Sequence, residues 1–260
     1  MIYDLSQTDN VLHTAAITND DLTEINIMNF RVAKIYAQNA DQTDINVGKA
    51  PIVVELYTSQ GCSSCPPADK ILGQLAQHPR IFALSCHVTY WDYLGWKDTL
   101  AHPFCTDRQT GYRKVKNARN YYTPQMIING NDEFPGHRSG KIKAAIERAN
   151  NNPIKPISLS HKNKQTIVAG LPTLGARSNY TLWVFGYKKH HNENVQQGEN
   201  RNRKLQSTNS IHMLESLGKW DGRQGMKRFD IGKTDDIDGL VVVAQINGYG
   251  PIAAAGRIEF

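Results

Sequence analysis

Cysteine is scarce in this chain of 260 residues, which contains only four. Four are too few for the disulfide scaffold of a small secreted protein, so we expect an ordinary hydrophobic core to hold the fold together. Long hydrophobic runs are also missing. No stretch reaches the roughly 18 apolar residues of a spanning helix, and we predict no membrane span. The first residues lack the basic and apolar regions of an export signal, so the sequence as written predicts none.

A strong excess of charge of one sign is equally absent. The formal net charge is +6, and lysine and arginine are spread along the chain with only small clusters at residues 113–116 and 201–204. Such clusters are more often solvated surface than a nucleic-acid site, so we expect no nucleic-acid partner. With 40% hydrophobic and 21% charged residues, the composition is that of a globular protein with one large or two smaller domains.

The chain does contain two cysteines with only two residues between them, Cys62 and Cys65, in the sequence Gly-Cys-Ser-Ser-Cys-Pro-Pro. The apolar and β-branched residues 51–58 before them are typical of a buried strand, and apolar residues at helical spacing follow. The pair therefore lies where a strand turns into a helix. The free N–H groups and the dipole of a helix N-terminus stabilise a thiolate, and the thiol pKa falls there from ~8.5 to roughly 3.5–7.5.

This arrangement predicts redox chemistry. Cys62, at the start of the turn, would attack as the nucleophile, and Cys65 would resolve the mixed disulfide with the substrate. Two alternatives stay open: half of a metal site, although no second Cys-x-x-Cys is present, or an inert structural disulfide. The remaining cysteines, Cys86 and Cys105, could form a second bridge, or Cys86 could be a buried residue of an apolar strand.

Residues 50–152 show an alternation of strands and helices. After the first strand and helix we predict a second buried strand over residues 81–88 and a helix over residues 106–120. A hairpin with an Asn-Gly turn follows over residues 126–134, and a last helix over residues 140–150. The short crossover between the first two strands implies that they pair in parallel.

The order βα–βα–ββα with a Cys-x-x-Cys after the first strand resembles the thioredoxin fold. In that fold a cis proline before the third strand faces the redox pair, and Thr123 and Pro124 stand at this place. The resemblance implies that Pro124 is cis and that the backbone of Thr123 receives an extended substrate segment. Thioredoxins also bury an acid behind the cysteines. Glu55 is the candidate for this proton acceptor of Cys65, the alternative being a strand-end carboxylate in water.

A closer likeness is to an uncharacterised bacterial family, domain of unknown function 1223 (DUF1223). It covers about residues 51–260, although Thr89 departs from the aspartate usual at its position. Members are similar to thioredoxins and are often exported, which implies a periplasmic or secreted location; the family implies no particular substrate. The segments that carry the likeness are residues 55–69, 87–98, 122–125, Gly198-Glu199-Asn200-Arg201 and Leu217-Gly218-Lys219-Trp220.

The two ends of the chain differ from its centre. Residues 1–49 form a polar extension whose spacing fits one amphipathic helix or, nearly as well, a strand near residues 28–32. Residues 153–260 contain several short alternating segments, which predict a small antiparallel sandwich-like domain. Within it, residues 188–210 are predicted to be a solvated loop, and the adjacent His190 and His191 are not expected to bind metal.

We therefore expect an α/β thioredoxin-like redox domain over residues 50–152, followed by a sandwich-like all-β domain over residues 153–260. The expected function is that of a thiol–disulfide oxidoreductase that acts on protein dithiols or disulfides through the redox-active Cys62–Cys65 disulfide, without a metal or organic cofactor. Its other expected site residues are Glu55, Thr123 and Pro124, with a substrate-facing wall of Tyr90, Trp91 and Trp96. The alternative is a protein that binds copper through Cys62, Cys65 and His87.

Overall fold

The computed structural model describes residues 48–163, 165–174, 179–232 and 236–260. Within these residues, three α-helices accompany a nine-stranded mixed sheet and a three-stranded sheet, all in one unit, Thr43–Phe260. The helix and strand alternatives predicted for the N-terminal extension lie outside the described residues. No helix in the described part of the chain is long and apolar enough to cross a membrane.

The first half alternates between strands and helices in the predicted order. The helix predicted over residues 106–120 is displaced at both ends. It starts at Pro103, which suits a first helical turn because no N–H partner is needed there. It ends at Val115, two residues before Asn117 takes a left-handed conformation with φ of 51°. The elements are β1 (Ile52–Thr58), α1 (Pro66–Leu75), β2 (Ile81–His87), a 3₁₀ turn (Asp92–Leu94), α2 (Pro103–Val115), β3 (Gln125–Ile128), β4 (Asp132–Pro135) and α3 (Ser139–Asn151).

The second half consists of strands. Its elements are β5 (Lys155–Pro156), β6 (Ser158–His161), β7 (Thr166–Leu171), β8 (Tyr180–Asn194), β9 (Lys204–Trp220), β10 (Gly225–Asp230), β11 (Gly239–Ile246) and β12 (Ile252–Glu259). The predicted loop over residues 188–210 is wrong for most of its length, since β8 and β9 continue through it as a long hairpin. Backbone ladder pairing, from Lys188 with Ser210 to Asn194 with Lys204, holds this part of the hairpin together. Its side chains can therefore be polar, because the two strands do not depend on burial in a core.

The large sheet has the strand order β4-β3-β1-β2-β9-β8-β11-β12-β5. Strands β1 and β2 pair in parallel, as predicted, with Ile52 opposite Ile81. The next neighbour of β2 is β9, which joins it in parallel through the pairing of Ser85 with Ser210. One sheet therefore contains strands from both sides of residue 152, and the division of the chain into two domains at that point stays a prediction.

Strand β1 is buried on both faces, which explains its almost continuous apolar sequence. Ile52, Val54 and Leu56 pack against α1 and α3, whereas Val53 and Tyr57 face a second core that includes residues of α2, β8 and β11. A third core lies between the three-stranded sheet and strands β8, β11 and β12 of the large sheet. The C-terminal end of β1, where the cysteine pair follows, is thereby held from both sides.

Candidate functional site

The cysteine pair lies at the junction between β1 and α1. Cys62 and Cys65 form a disulfide, and Cys65 is the N-cap residue of α1, which starts with Pro66 and Pro67. The prediction that the pair stands where a strand turns into a helix is confirmed. The position is favourable for a thiolate, because the unpaired N–H groups of the first helical turn and the helix dipole attract negative charge.

Both cysteines are covered. Cys62 and Cys65 are each 0% exposed, whereas Ser63 and Ser64 between them are exposed. The side chain of Ser64 lies against the pair, with its Oγ 3.4 Å from Sγ of Cys62. The exposed surface of the turn is therefore its Ser-Ser dipeptide, and the sulfur atoms lie beneath it.

The Thr123–Pro124 peptide bond is cis, as the thioredoxin resemblance implied. Pro124 is buried and lies beside Gly136, whose backbone also lies close to Leu56 of β1 and Ala68 of α1. The cis proline and the first turn of α1 thus converge on the same small region. This places Thr123 and Pro124 on the side of the sheet that carries the cysteine pair.

The aromatic segment after β2 is tied to both parts of this site. Trp91 donates from Nε1 to Oγ1 of Thr123 at 2.8 Å, and Trp96 donates from Nε1 to Oε1 of Gln60 at 2.9 Å. Tyr90 instead packs on the core, where burial raises its pKa to about 12. Tyr93, which lies between the predicted wall residues Trp91 and Trp96, reaches solvent and is 80% exposed.

Glu55 lies in the core between β1 and α2. It is 0% exposed, so the alternative of a strand-end carboxylate in water is wrong. Its two carboxylate oxygens accept hydrogen bonds from Arg108, Tyr112 and Tyr57. Burial alone would lower the pKa of Arg108, but the Glu55 carboxylate together with Tyr112 and Tyr57 outweighs burial and raises it. Glu55 and Arg108 therefore form a buried ion pair inside the fold.

Asp69 is a second acid near the cysteines. It stands four residues after Cys65 on α1, where side chains share one face of a helix. Its Oδ2 accepts a hydrogen bond from Oγ1 of Thr58 at 3.2 Å, and its Oδ1 is buried without a partner among the described residues. Burial raises the pKa of Asp69 from 3.8 to about 6, against the opposing effects of His87 and Thr58.

His87, which the alternative copper site includes, is paired with Asp98. The distance between Nδ1 of His87 and Oδ2 of Asp98 is 2.8 Å, and both residues are buried. Burial opposes the charge on each partner, yet their mutual attraction raises the pKa of His87 and lowers that of Asp98. The other ring nitrogen, Nε2 of His87, is buried without a partner in the described part of the chain. His87 also stands opposite Thr58 in the β1–β2 ladder, which places it close to Asp69.

The tip of the β8–β9 hairpin reaches the cysteine turn. Asn200 is 0% exposed and donates from Nδ2 to the carbonyl oxygens of Gln60 and Cys62, both at 2.9 Å. The exposed neighbour Glu199 accepts a hydrogen bond from the N–H of Ser63 on Oε2 at 3.0 Å. Residues about 138 positions apart in the chain are thereby joined at the centre of the site.

Comparison with known proteins agrees with the predicted family. A family described as a protein of unknown function (DUF1223) matches residues 53–245, about three quarters of the chain. The chain belongs to the DUF1223 family. The match includes both cysteines, the aromatic segment and the hairpin tip.

One solved structure is similar to this DUF1223 protein over most of its length. It is the crystal structure of a protein from Agrobacterium tumefaciens, with 28% sequence identity and a TM-score of 0.70, covering 82% of this chain and 96% of that one. A superoxide reductase from Giardia intestinalis also matches, with 14% identity, a TM-score of 0.24, and coverage of 41% of this chain and 98% of that one, which is too distant to carry an argument. No curated protein matches the chain.

The second cysteine pair of this DUF1223 protein is also bridged. Cys86 of β2 and Cys105 of α2 form a disulfide, and both are 0% exposed, so of the two alternatives the bridge is the one observed. Within the described ranges, no group of three or more His, Cys, Asp or Glu residues is arranged to hold a metal ion. The copper-binding alternative through Cys62, Cys65 and His87 stays a prediction without support from this geometry.

Two residues of the site were missed by reasoning from the sequence, Asp69 and Asp98. Asn200 belongs to the Gly198-Glu199-Asn200-Arg201 segment that carries the family likeness, but its contacts were not predicted. Asp69 had a usable signal, because its spacing of four from Cys65 on a predicted helix places both side chains on one face. Asp98 and Asn200 gave only a family likeness, since nothing local in the sequence shows which distant backbone they contact. The sequence predicted where the pair lies in the fold but not its surroundings.

Proposed function

We propose that this DUF1223 protein is a thiol–disulfide oxidoreductase with a thioredoxin-like first half, and that it acts on protein dithiols or disulfides. The observation that carries the proposal is the Cys62–Cys65 disulfide at the N-terminus of α1. The order of elements over residues 50–152 and the cis Thr123–Pro124 bond beside α1 support it. Two-electron exchange between sulfur atoms needs no further group at such a site.

In the reducing direction, the thiolate of Cys62 attacks one sulfur of a substrate disulfide. The substrate S–S bond breaks, a mixed disulfide forms, and one substrate thiolate leaves and takes up a proton. The thiolate of Cys65 then attacks Sγ of Cys62, which breaks the mixed disulfide and releases the second substrate thiolate. Two electrons have passed to the substrate, and the protein is left with the Cys62–Cys65 disulfide. A substrate dithiol reverses each step, and a low-molecular-weight dithiol can regenerate the reduced pair.

Asp69 is the proposed proton acceptor for the thiol of Cys65. A general base works best when its pKa is near the working pH, and burial brings the pKa of Asp69 to about 6. Its position four residues along α1 from Cys65 places it behind the pair. The role predicted for Glu55 stays a prediction, and the three donors that surround its carboxylate favour a structural task for it.

The surface offered to a protein substrate is the aromatic segment beside the cis proline. Trp91 is fixed to Thr123, and Tyr93 projects into solvent next to it. Exposed aromatic side chains of this kind are frequent anchors of protein recognition. Two disulfides also suit an oxidising compartment, and we propose a periplasmic or secreted location on this ground and on the family likeness.

The test is the reduction of insulin by dithiothreitol, followed as turbidity, with wild-type protein and two variants. We expect Cys62→Ser to abolish the acceleration, because the attacking sulfur is gone. Cys65→Ser should trap a mixed disulfide with the substrate, visible as a thiol-sensitive band on a non-reducing gel. Equal rates for wild type and Cys62→Ser would refute the proposal.

A further inference from the structure

The Cys62–Cys65 disulfide, which is proposed to exchange with substrate thiols, is buried. Sulfur exchange requires an attacking sulfur to reach one of the two bridged sulfur atoms, yet Cys62 and Cys65 are 0% exposed. The hairpin tip, which we define as residues 195–203, is joined to the cysteine turn by hydrogen bonds to Gln60, Cys62 and Ser63. What holds this tip in place therefore bears on access to the pair.

The hairpin tip is itself an ordered turn. Val195 and Arg203 pair through the N–H of Val195 and the carbonyl of Arg203 at 3.0 Å, and Asn202 donates its N–H to the carbonyl of Val195 at 2.8 Å. Arg203 also donates from Nη1 to Oδ1 of Asn200 at 3.1 Å. That last contact orients the amide of Asn200, so that its NH₂ group faces the cysteine turn.

The tip is attached to the cysteine turn by side-chain hydrogen bonds. Asn200 supplies two hydrogen bonds to the carbonyls of Gln60 and Cys62, and Glu199 accepts one from the amide of Ser63. Gly198 packs on Trp96 of the aromatic segment, with φ of 75°. The hydrogen bonds between the tip and the cysteine turn therefore pass through the side chains of two adjacent residues.

We propose that Asn200, supported by Glu199, is the positioning residue that keeps the Cys62–Cys65 turn covered and so determines which thiols react with it. The inference rests on the proposed function and states which substrates the site selects. Small thiols reach the disulfide only when the tip lifts. A protein substrate that binds the aromatic segment beside the tip displaces it and gains access, so the protein discriminates between the two classes.

Glu199 adds an electrostatic part to this device. Its carboxylate occupies the N–H of Ser63, directly after Cys62, and this hydrogen bond holds the pKa of Glu199 below its usual value. Once the disulfide is reduced, a thiolate at Cys62 and the carboxylate share the same end of α1 and repel each other. Reduction therefore loosens the tip, and oxidation restores it.

The test measures how fast dithiothreitol reduces each disulfide. Samples are quenched by alkylation at successive times, and the labelled cysteines are quantified by peptide mass spectrometry. For Asn200→Ala we expect the rate at Cys62–Cys65 to rise about tenfold or more, because two hydrogen bonds that hold the cover are lost. The rate at the buried Cys86–Cys105 bridge should stay at the wild-type value.

The second bridge makes the measurement decisive. A general loosening of the fold would accelerate the reduction of both disulfides equally, and that result would overturn the inference. An unchanged rate of reduction at both disulfides would also overturn it. Asn192→Ala is the matched control, because it removes an exposed asparagine from the same hairpin away from the cysteines. Its rates should equal those of the wild type.

A variant at an exposed position covers the case in which Asn200→Ala does not fold. Glu199→Gln should raise the rate at Cys62–Cys65 about threefold and leave Cys86–Cys105 unchanged; no rise would count against the inference. The rates with dithiothreitol do not depend on a protein substrate. If neither the wild type nor any variant reduces insulin, only the proposed function is refuted. If dithiothreitol reduces Cys62–Cys65 at the same rate in the wild type and the variants, only the proposed role of Asn200 and Glu199 is refuted.

Discussion

Oδ2 of Asp98 lies 2.8 Å from Nδ1 of His87 and also accepts the N–H of Gln60 at 2.8 Å. Its other oxygen, Oδ1, accepts the N–H of Leu100 at 2.8 Å. One buried carboxylate thus connects the end of β2, the residue before Gly61 in the cysteine turn, and the aromatic segment. The ion pair is a structural support of the site, and its charge state decides how strong that support is.

The first prediction concerns the pH range of this support. The pKa of His87 is raised above its ordinary 6.5, so its contribution to stability is complete below about pH 6.5 and is lost as the pH rises through the raised value. The pKa of Asp98 is lowered below 3.8, so its contribution is complete above about pH 4 and is lost at lower pH. Asp98→Asn should therefore lower the free energy of unfolding most between about pH 4 and 6.5, by on the order of 3 kcal/mol, and the melting temperature should fall most in the same range.

Thermal unfolding of wild type and Asp98→Asn across pH 3 to 9 measures this difference. The imidazole of His87 should also titrate at lower pH in the variant, because burial then acts without the opposing carboxylate. A difference in melting temperature that does not change with pH would contradict the prediction.

The second prediction concerns Asp69. Because its pKa in the folded protein is raised from 3.8 to about 6, the folded state binds the proton more tightly than the unfolded chain does. Stability attributable to Asp69 therefore decreases as the pH rises from about 4 to 7, by about 3 kcal/mol at most. Asp69→Asn should remove this decrease, whereas Glu147→Gln, at an exposed position of α3, should leave it as in the wild type.

The same substitution tests the proposed chemistry. If Asp69 accepts the proton of Cys65, then Asp69→Asn should slow the resolution of the mixed disulfide about 100-fold near neutral pH. In wild type that step should accelerate as the pH rises through about 6, and this rise should be absent in the variant. Rapid-quench measurement of the second substrate thiol follows the step directly. An unchanged pH profile would assign the proton to another group.

The third prediction separates the two acids. Glu55→Gln leaves the charge of Arg108 buried without its partner, which should cost about 3–5 kcal/mol of folding free energy. Replacing both residues, as Glu55→Leu with Arg108→Met, should cost less than the single change because no charge remains unpaired. Denaturant unfolding compares the three proteins. Slow resolution at Cys65 in folded Glu55→Gln protein would instead support the catalytic role predicted for Glu55.

The fourth prediction concerns substrate recognition. Tyr93→Ala should raise KM for a protein disulfide about fivefold, since an exposed aromatic anchor is commonly worth more than ~1 kcal/mol. Turnover of a small disulfide should not change. Met226→Ala is the control, because Met226 is 82% exposed on the three-stranded sheet. An equal effect of both variants on the protein substrate would argue against the aromatic segment as the recognition surface.

The fifth prediction addresses the division of the chain at residue 152. A fragment that ends at Asn152 lacks β9, and with it the neighbour of β2 and the cover of the cysteine turn. It also lacks β8 and β11, which pack against Val53 and Tyr57 in a shared core. We expect this fragment to aggregate, which light scattering would detect. A soluble, folded fragment that reduces a small disulfide would support an independent redox domain.

The sequence alone determined the local features of this protein. The strand before Cys62, the helix after Cys65 and the parallel pairing of β1 with β2 follow from short-range patterns of apolar residues, turn residues and prolines. The cis state of Pro124 and the family came from resemblance, which motifs of neighbouring residues can carry. These are properties of segments whose parts lie close together in the chain.

Only the tertiary structure decided what surrounds the cysteines. The polar residues Lys188–Asn194 predict a loop, yet ladder pairing with β9 makes this segment a strand. The charge of Glu55 predicts exposure to water, but the ion pair with Arg108, 53 residues away, offsets the cost of burying it. The contact of Asn200 with Cys62 gave no local signal, because Cys62 lies 138 residues earlier in the chain. Such contacts depend on how the sheet brings distant segments together, and no pattern of neighbouring residues records that.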